Sequence, residues 1–275
     1  MGGFLNIENV FNECKINKPD IFVETGTYQP VMVKGELRIP TIFKMSPLFK
    51  ELHTIEIDEK IYKNSVNFVE SDTNPYKEHS NKINFTLGDS QTKLKSICEN
   101  INGPTVFYLD GHFSGNWNGV ATGKSSNTDV PLYQELEIIN KYFKYEAIVI
   151  CDDLRLFGGK FEHGDWSSIT IDRAKNIVKN RLINSFYNKR ANESSWNRDS
   201  LILELDKSSG KELRHSDEFI EQIKKNKIKL NELSTYNETP KLSAILLSFN
   251  HDYHVDTLYD KLNDSLFEEI IVCED

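Results

Sequence analysis

Two short apolar runs that each end on acidic residues constrain this chain more than any other feature. The first, Thr105–Leu109, is β-branched and aromatic without polar alternation, as is typical of a strand buried on both faces, and Asp110 follows it. The second, Ala147–Cys151, has the same texture and is followed by Asp152 and Asp153. Ligands of open parallel sheets bind just outside the carboxyl ends of the strands. The two runs therefore predict a parallel sheet with an acidic site at one edge.

The same pattern, an apolar run followed by an acidic residue, recurs along residues 1–206. Five further runs are predicted as strands, at residues 21–23, 52–58, 82–87, 183–189 and 200–205. Helices are predicted at residues 4–15, 59–70, 92–100, 131–145 and 169–182. Residues 30–50, which contain three prolines, predict a broken helix over the pocket. This alternation predicts an α/β fold with a doubly wound, mostly parallel, seven-stranded Rossmann-like sheet.

The composition of the sequence changes after this first domain. Residues 207–239 are polar and lysine-rich and predict a linker with one exposed helix. Residues 240–275 predict a βαβ fragment, with strands at 242–248 and 269–273 and a helix at 253–262. One βαβ unit cannot cover both faces of its strands, so we expect this fragment to open a second domain whose remainder is absent here.

Charge and cysteine content exclude several classes of partner and site. The 275 residues include 33 basic and 42 acidic ones, and the net charge of −9 argues against nucleic acid as a partner. The four cysteines are scattered without a CxxC pair, which indicates neither a zinc site nor a disulfide framework and favours a cytoplasmic protein. No signal peptide and no apolar run long enough to span a membrane is evident.

The segments that follow the first three strands carry candidate binding residues. Glu24-Thr25-Gly26-Thr27-Tyr28 follows the first strand and would let a ligand approach the backbone, although a single glycine is not a dinucleotide fingerprint. Glu56 lies about thirty residues further on, a βαβ spacing that suits an acid bound to ribose hydroxyls. Gly88-Asp89-Ser90 follows the third strand. Alternatively, Glu56 would lie on the surface, and Asp89 would only cap the helix that follows it.

Taken together, these segments resemble class I S-adenosylmethionine-dependent methyltransferases. The resemblance covers roughly residues 20–205 and is carried by FVETGT at 22–27, HTIEI at 53–57, LGDS at 87–90, YLDGH at 108–112 and ICDDL at 150–154. Within that superfamily, the Asp-Gly-x strand end paired with a later Asp-Asp resembles the macrocin-type sugar O-methyltransferases. The resemblance implies a methyl transfer from S-adenosylmethionine to a hydroxyl of a glycan or glycoside.

The resemblance also implies a role for each candidate residue. The cofactor would be bound by residues in four segments: Glu24, Thr25, Gly26, Thr27 and Tyr28; Glu56 and Ile57; Gly88, Asp89 and Ser90; and Asp110. Mg²⁺, or Mn²⁺ in its place, would be held by Asp110, Asp152 and Asp153 and would chelate a sugar diol. The family commonly has an aspartate as base two residues after its first ligand. Here that position is His112, which would act with Asp110 in catalysis, or would serve as a structural hydrogen-bonding residue.

The C-terminal fragment resembles the start of a family 2, GT-A type glycosyltransferase. The matching segments are residues 243–250 and 269–275, which in such enzymes hold the nucleotide sugar. The catalytic half of that domain is missing, so no glycosyl transfer is expected of this chain. The resemblance implies a multidomain parent protein that both builds and methylates a glycan.

Three alternatives remain open at this stage. A dehydrogenase could use the same sheet, although the missing GxGxxG motif and the acids at the strand ends argue against it. A non-catalytic module could bind the cofactor only to position a glycosyltransferase. A methyltransferase could also work without metal, with His112 as its base.

Overall fold

The computed structural model describes residues 7–117, 120–125, 128–161, 164–188, 199–208, 243–248 and 269–274. The chain divides into two compact units, Met1–Gly210 and Lys211–Asp275. Within the described residues, every helix is too short or too polar to cross a membrane.

The first unit alternates strands and helices along most of its length. In chain order its elements are α1 (Ile7–Glu13), β1 (Ile21–Thr25), β2 (Val31–Val33), β3 (Glu36–Arg38), α2 (Thr41–Met45), β4 (Glu51–Glu56), α3 (Glu59–Phe68), α4 (Lys77–Ser80), β5 (Ile83–Leu87), α5 (Ser90–Asn100), β6 (Thr105–Leu109), β7 (Asn116–Trp117), β8 (Val120–Ala121), α6 (Leu132–Tyr142), β9 (Ala147–Cys151), a 3-10 turn (Leu154–Leu156), β10 (Lys160–Phe161), β11 (Gly164–Asp165), α7 (Ile171–Ile177), β12 (Leu182–Tyr187) and β13 (Leu201–Leu205).

Seven strands form one sheet in the order β12-β13-β9-β6-β1-β4-β5. The pairs β1–β4, β1–β6, β4–β5 and β6–β9 are parallel, whereas β13 runs antiparallel to both of its neighbours. All five residues of β1, β6, β9 and β13 are buried, which explains the unbroken apolar runs in their sequences. The predicted α/β class and the seven-stranded, mostly parallel sheet are confirmed.

Helices cover both faces of the sheet, because successive strand residues point to opposite sides. Val23 and Phe107 pack on the face covered by α5, α6 and α7. Phe22 and Val106, their neighbours in sequence, pack on the face covered by α1, α2 and α3. The two apolar layers hold the strand ends of the central sheet in fixed positions.

The prediction of a broken helix over residues 30–50 was wrong in form. The chain instead makes the hairpin β2–β3, in which Val31 pairs with Arg38, and then the short helix α2. Lys34 and Gly35 both have positive φ, 51° and 83°, as the two central residues of a tight hairpin turn require. Lysine rarely adopts this conformation, so the turn was missed.

A buried arginine ties the end of α6 to the sheet. The Arg181 side chain donates to the carbonyls of Ile139 (3.0 Å), Phe143 (2.9 Å) and Tyr145 (2.6 Å), and to that of Asp206 (2.9 Å). The last carbonyls of a helix lack partners within the helix, and this guanidinium satisfies them. Burial lowers the pKa of Arg181 to about 10, which leaves it charged at neutral pH.

The second unit contains the two strands predicted after Pro240. They are β14 (Ser243–Ser248) and β15 (Glu269–Glu274), which pair in parallel with Ser243 opposite Glu269. The predicted linker helix and the predicted helix at 253–262 lie outside the described residues.

Candidate functional site

A cavity of about 360 Å³ opens at the carboxyl ends of the parallel strands. All but one of the candidate residues line it: Glu24, Gly26, Thr27, Tyr28, Glu56, Ile57, Gly88, Asp89, Ser90, Asp110, His112, Asp152 and Asp153. The exception is Thr25, which is fully buried and whose hydroxyl accepts a hydrogen bond from the Asp110 backbone N–H (3.3 Å). The volume lies within the range of pockets that bind cofactors and small molecules.

Glu24, at the end of β1, is a buried carboxylate held by neighbouring hydroxyls. Thr54 Oγ1 donates to Glu24 Oε2 at 3.1 Å, and Thr27 Oγ1 lies 2.6 Å from Thr54 Oγ1. Burial raises the pKa of Glu24 well above its usual range, although the Thr54 hydrogen bond opposes the shift. A cationic group of a ligand would favour the ionised form of this carboxylate.

The glycine after β1 permits a close approach of two strand ends. Gly26 has φ +78°, and a Cβ at this position would collide with the Asp110 carbonyl and lie 2.9 Å from the Gly111 Cα. The single glycine predicted for ligand approach thus also brings the end of β1 against the end of β6.

Glu56, at the end of β4, has a hydrogen bond to each carboxylate oxygen. The Tyr28 N–H donates to Oε2 (3.1 Å) and the Asp58 N–H donates to Oε1 (2.8 Å). Burial raises the pKa of Glu56, and these two hydrogen bonds work against the rise. Glu56 is 5% exposed, so the surface alternative is wrong. Each oxygen keeps a second lone pair with which it could accept a hydroxyl hydrogen.

Asp89 both caps a helix and lines the cavity. One carboxylate oxygen accepts from the Gln91 N–H at the start of α5 (2.9 Å), and the other accepts from Ser125 Oγ (2.6 Å). Ser125 belongs to the loop after β8, and Thr122 and Gly123 of that loop also line the cavity. The capping role and the cavity role predicted as alternatives are therefore compatible.

His112 lies between two carboxylates at the centre of the site. Its Nδ1 is 3.4 Å from Asp110 Oδ1 and its Nε2 is 3.1 Å from Asp153 Oδ2. The imidazole is 8% exposed, and its ring packs edge-on against Trp166 at a centroid distance of 4.8 Å. Both ring nitrogens of His112 therefore face a carboxylate oxygen.

The chain turns immediately after β9, as convergence of Asp152 and Asp153 requires. Asp153 has φ +55°, in the left-handed region, and starts the 3-10 turn. Asp153 also accepts from the Arg155 guanidinium, which bridges it to Asp199. Asp152 accepts from the Tyr108 hydroxyl (2.5 Å) and from Ser200 Oγ (2.7 Å).

The three predicted metal ligands divide between two groups. Among the described residues, the groups whose possible ligand atoms lie within 4.8 Å of one another are Asp110 with His112 and Asp153, and Asp152 with Asp153 and Asp199. Burial raises the pKa of Asp110 well above its usual range, and the charges of Asp152 and Asp153 raise it further. A cation between these carboxylates would relieve that repulsion.

The sequence predicted that residues 30–50 lie over the pocket, but it did not reveal the two cations that this wall brings to the cavity. Arg38 and Lys44 line the cavity there beside Val31 and Val33 of the hairpin. Burial lowers the pKa of Lys44, and the positive charge of Arg38 lowers it further, whereas Glu24 raises it. No sequence motif marks these two cations, because Arg38 reaches the cavity through the hairpin whose turn was missed and Lys44 through the helix α2 that follows it.

Sequence reasoning also missed Glu135, which is buried on α6. Burial raises the pKa of the Glu135 carboxyl to about 7, against an opposing effect of the Ser90 and Thr25 side chains, and its Oε1 has no hydrogen-bond partner among the described residues. A Cβ at Gly111 would lie 3.0 Å from Glu135 Oε1, so this carboxyl lies directly behind the segment that carries His112. An acid between the apolar positions Leu132 and Leu136 of an amphipathic helix was the available signal.

Comparisons with known proteins give a likeness in fold. No protein-family model and no curated protein matches the sequence. Among solved structures, the chain is similar to the N-methyltransferase NodS from Bradyrhizobium japonicum, with 10% identity over 70% of this chain and 87% of that one and a TM-score of 0.40. It is also similar to an rRNA methylase from Streptococcus thermophilus, with 12% identity over 73% of this chain and 94% of that one and a TM-score of 0.38. A third is the magnesium protoporphyrin IX methyltransferase from Synechocystis with bound S-adenosylmethionine, with 10% identity over 68% of this chain and 69% of that one and a TM-score of 0.36. With TM-scores below 0.5, these likenesses carry no weight for the activity, which has to rest on the chemistry of the cavity.

Proposed function

We propose that this chain is an S-adenosylmethionine-dependent O-methyltransferase that acts on a sugar hydroxyl. The charge of the cavity carries the proposal. Six carboxylates and three cationic side chains line it, which suits a ligand with a sulfonium and an ammonium group. The same charge disfavours the two phosphates of a dinucleotide, which bind best to backbone N–H groups at a glycine-rich helix start. The dehydrogenase alternative is therefore the weaker one.

The residues at the strand ends fit the parts of the cofactor. Glu24 offers a carboxylate to the ammonium of the amino-acid end, and Glu56 offers free lone pairs to the ribose hydroxyls. Asp89 and Ser125 form a polar end of the cavity where an adenine amine could donate. The bound cofactor would supply an electrophilic methyl group.

His112 is the residue best placed to remove a proton from an acceptor hydroxyl. Its ring is held by Asp110, Asp153 and Trp166, and as a base it would exchange one carboxylate contact, the longer being that of Nδ1 with Asp110 at 3.4 Å, for the acceptor hydroxyl. The Arg155 guanidinium in turn holds Asp153. After proton transfer, the flanking carboxylates would stabilise the imidazolium.

A divalent cation fits part of this donor set. Asp110 and Asp153 supply oxygen ligands, whereas the two oxygens of Asp152 face Tyr108 and Ser200. Bound there, Mg²⁺ or Mn²⁺ would lower the pKa of a coordinated hydroxyl. His112 completes the group, and a histidine ligand suits Mn²⁺ better than Mg²⁺. His112 as ligand and His112 as base exclude each other, and the metal-independent mechanism remains the alternative.

The sugar acceptor rests on the resemblance of YLDGH and ICDDL to macrocin-type enzymes. Methyl transfer from labelled S-adenosylmethionine should therefore be screened against rhamnosides, xylosides and related short glycans with Mg²⁺ present. Calorimetry should detect binding of S-adenosylmethionine and S-adenosylhomocysteine but not of NAD. Binding of NAD in their place would refute the proposal. Cofactor binding without turnover on any glycan would favour a module that only positions a glycosyltransferase.

We also propose that residues 240–275 open a separate glycosyltransferase-like domain after a linker at 207–239. The parallel pair β14–β15 is compatible with the βαβ start of such a domain. Deleting residues 240–275 should leave the melting temperature and the methyl transfer of the first unit unchanged. A large drop in melting temperature would contradict this division.

A further inference from the structure

Two cations stand together on one wall of an otherwise acidic cavity. Of the three cationic side chains that line it, Arg155 is bound by Asp153 and Asp199. The other two are Arg38, at the end of β3, and Lys44, in α2. Both are half-buried.

Arg38 and Lys44 line the same wall of the cavity, one at the end of β3 and the other in the helix that follows it. The charge of Arg38 lowers the pKa of Lys44, in addition to the larger lowering by burial, and Glu24 partly offsets both effects. Arg38 also pairs with Glu36 at 3.3 Å, but Glu36 is exposed and such a pair contributes little. A guanidinium has five donors, so this contact leaves most of them available to a ligand.

We propose that Lys44 and Arg38 form a subsite for an anionic group, a carboxylate or a phosphate, of a molecule bound in the cavity. An anion between two cations reverses their mutual repulsion and makes charge-assisted hydrogen bonds. Glu24 lines the same cavity and acts electrostatically on Lys44, so an ammonium and a carboxylate of one ligand would both be bound there, as an α-amino acid requires. The anion would come either from the amino-acid end of the cofactor or from an acidic acceptor. The identity of that molecule rests on the proposed function, whereas the anion subsite does not.

The test compares two ligands that differ by the amino-acid end. S-adenosylhomocysteine carries it and 5′-methylthioadenosine lacks it, so calorimetry with both isolates the carboxylate. Lys44→Met and Arg38→Met keep the apolar stems of the side chains. Lys50→Met is the matched control, because Lys50 is 78% exposed and pairs with Asp20 at the surface. Lys44→Arg, which keeps the charge, should restore most of the binding.

If the cofactor supplies the anion, each Met variant should bind S-adenosylhomocysteine about 10- to 100-fold more weakly, which is the range expected for a lost charge-assisted contact. The same variants should bind 5′-methylthioadenosine as tightly as the wild type does. If the acceptor supplies it, inorganic phosphate should raise the melting temperature of the wild type saturated with S-adenosylhomocysteine, and should not raise that of the variants. Equal weakening of both nucleosides, or no change in any measurement, would overturn the subsite. Failure of the wild type to bind either nucleoside would refute the methyltransferase, while phosphate stabilisation of the free protein would still test the subsite.

Discussion

The cavity has two walls that are built in different ways. The strand-end wall consists of the residues at and just after the carboxyl ends of β1, β4, β5, β6 and β9, and it carries the acids and His112. The hairpin wall consists of residues 31–45, and it carries the two cations of the proposed anion subsite. The strand-end wall belongs to the seven-stranded sheet, whereas β2 and β3 pair only with each other among the described strands. The residues proposed for the chemistry thus belong to the sheet, and those proposed to bind an anion belong to the hairpin and the helix after it.

Burial differs between the walls in the same sense. On the strand-end wall, Glu24 and Glu56 are 1% and 5% exposed and are held by hydroxyl or backbone donors. On the hairpin wall, the residues of β2 and β3 are half-buried or exposed, with Met32 at 62%, and only the helix α2 contributes core residues such as Phe43. Changes in the strand-end wall should therefore alter both chemistry and stability, whereas changes in the hairpin should alter ligand preference alone. Five experiments can break or sharpen this comparison.

The largest effect is expected from the acid–imidazole group of the strand-end wall. His112→Ala and Asp153→Asn should lower the rate of methyl transfer roughly 100- to 10,000-fold, since they remove the base or its orienting partner. Binding of S-adenosylhomocysteine should stay within about twofold, because neither side chain is assigned to the cofactor. Asp165→Asn is the control, since Asp165 pairs with Lys160 at the surface. Wild-type rates in His112→Ala would remove this residue from the reaction.

Chelation separates the two roles open to His112. Excess EDTA should abolish turnover if a cation bound by Asp110 and Asp153 is essential, and added Mn²⁺ or Mg²⁺ should restore it. Full activity in EDTA would dismiss the metal and leave His112 as the base of a metal-independent transfer.

A smaller effect, on stability, is expected from Glu135 behind the strand-end wall. Its pKa is raised from 4.5 to about 7, so the folded state holds a proton that the unfolded chain releases. This contribution is fully present below pH 4.5 and is lost as the pH rises through 7, a loss on the order of 3 kcal/mol. Glu135→Gln keeps a neutral side chain at every pH and should therefore gain stability relative to the wild type between pH 5 and 8.

Urea unfolding at pH 5 and pH 8 measures this difference. Glu99→Gln, at an exposed position of α5, is the control and should track the wild type at both values. Parallel stability curves for the wild type and Glu135→Gln would show that Glu135 ionises normally in the folded protein.

Glu56 tests the cofactor end of the same wall. Glu56→Ala should weaken binding of S-adenosylhomocysteine by about 1–3 kcal/mol, because the hydroxyls of the ribose and the N–H groups of Tyr28 and Asp58 would lose their acceptor. Glu56→Gln keeps one oxygen and should lose less. Calorimetry that finds unchanged affinity in Glu56→Ala would remove Glu56 from the ribose role.

The strand-end wall could be predicted from sequence because buried parallel strands have a plain signature. The strands at 105–109 and 147–151 were predicted to the residue, since an unbroken apolar run followed by an acid marks both the strand and its end. The directions of the side chains could not be predicted. The left-handed conformation of Asp153 groups it with His112 and Asp110, and Asp152 turns instead to Tyr108 and Ser200.

The other site residues that could not be predicted are brought to the site by contacts between residues far apart in the chain. Asp199 joins the site because β13 runs antiparallel, so the residues before that strand lie at the carboxyl ends of the others. Arg38 reaches the cavity through a hairpin whose turn contains a left-handed lysine, and Lys44 reaches it from the helix that follows. Propensity and periodicity describe neighbours in sequence, and neither reports such long-range placement.

The smallest effect is expected from a substitution of Met32, the exposed residue of β2 on the hairpin wall. Side chains alternate along a strand, so Met32 points away from the cavity that Val31 and Val33 line. Met32→Ser should therefore change the free energy of unfolding by less than about 0.5 kcal/mol, as is usual for an exposed position. It should also leave the affinity for S-adenosylhomocysteine unchanged, in contrast to Lys44→Met on the same wall.

Leu109→Ala, a truncation of similar size at the end of β6, should lower the free energy of unfolding by about 2–5 kcal/mol because Leu109 is buried in the core. Equal losses in Met32→Ser and Leu109→Ala would mean that the hairpin is as firmly packed as the sheet, and the contrast between the two walls would then fail.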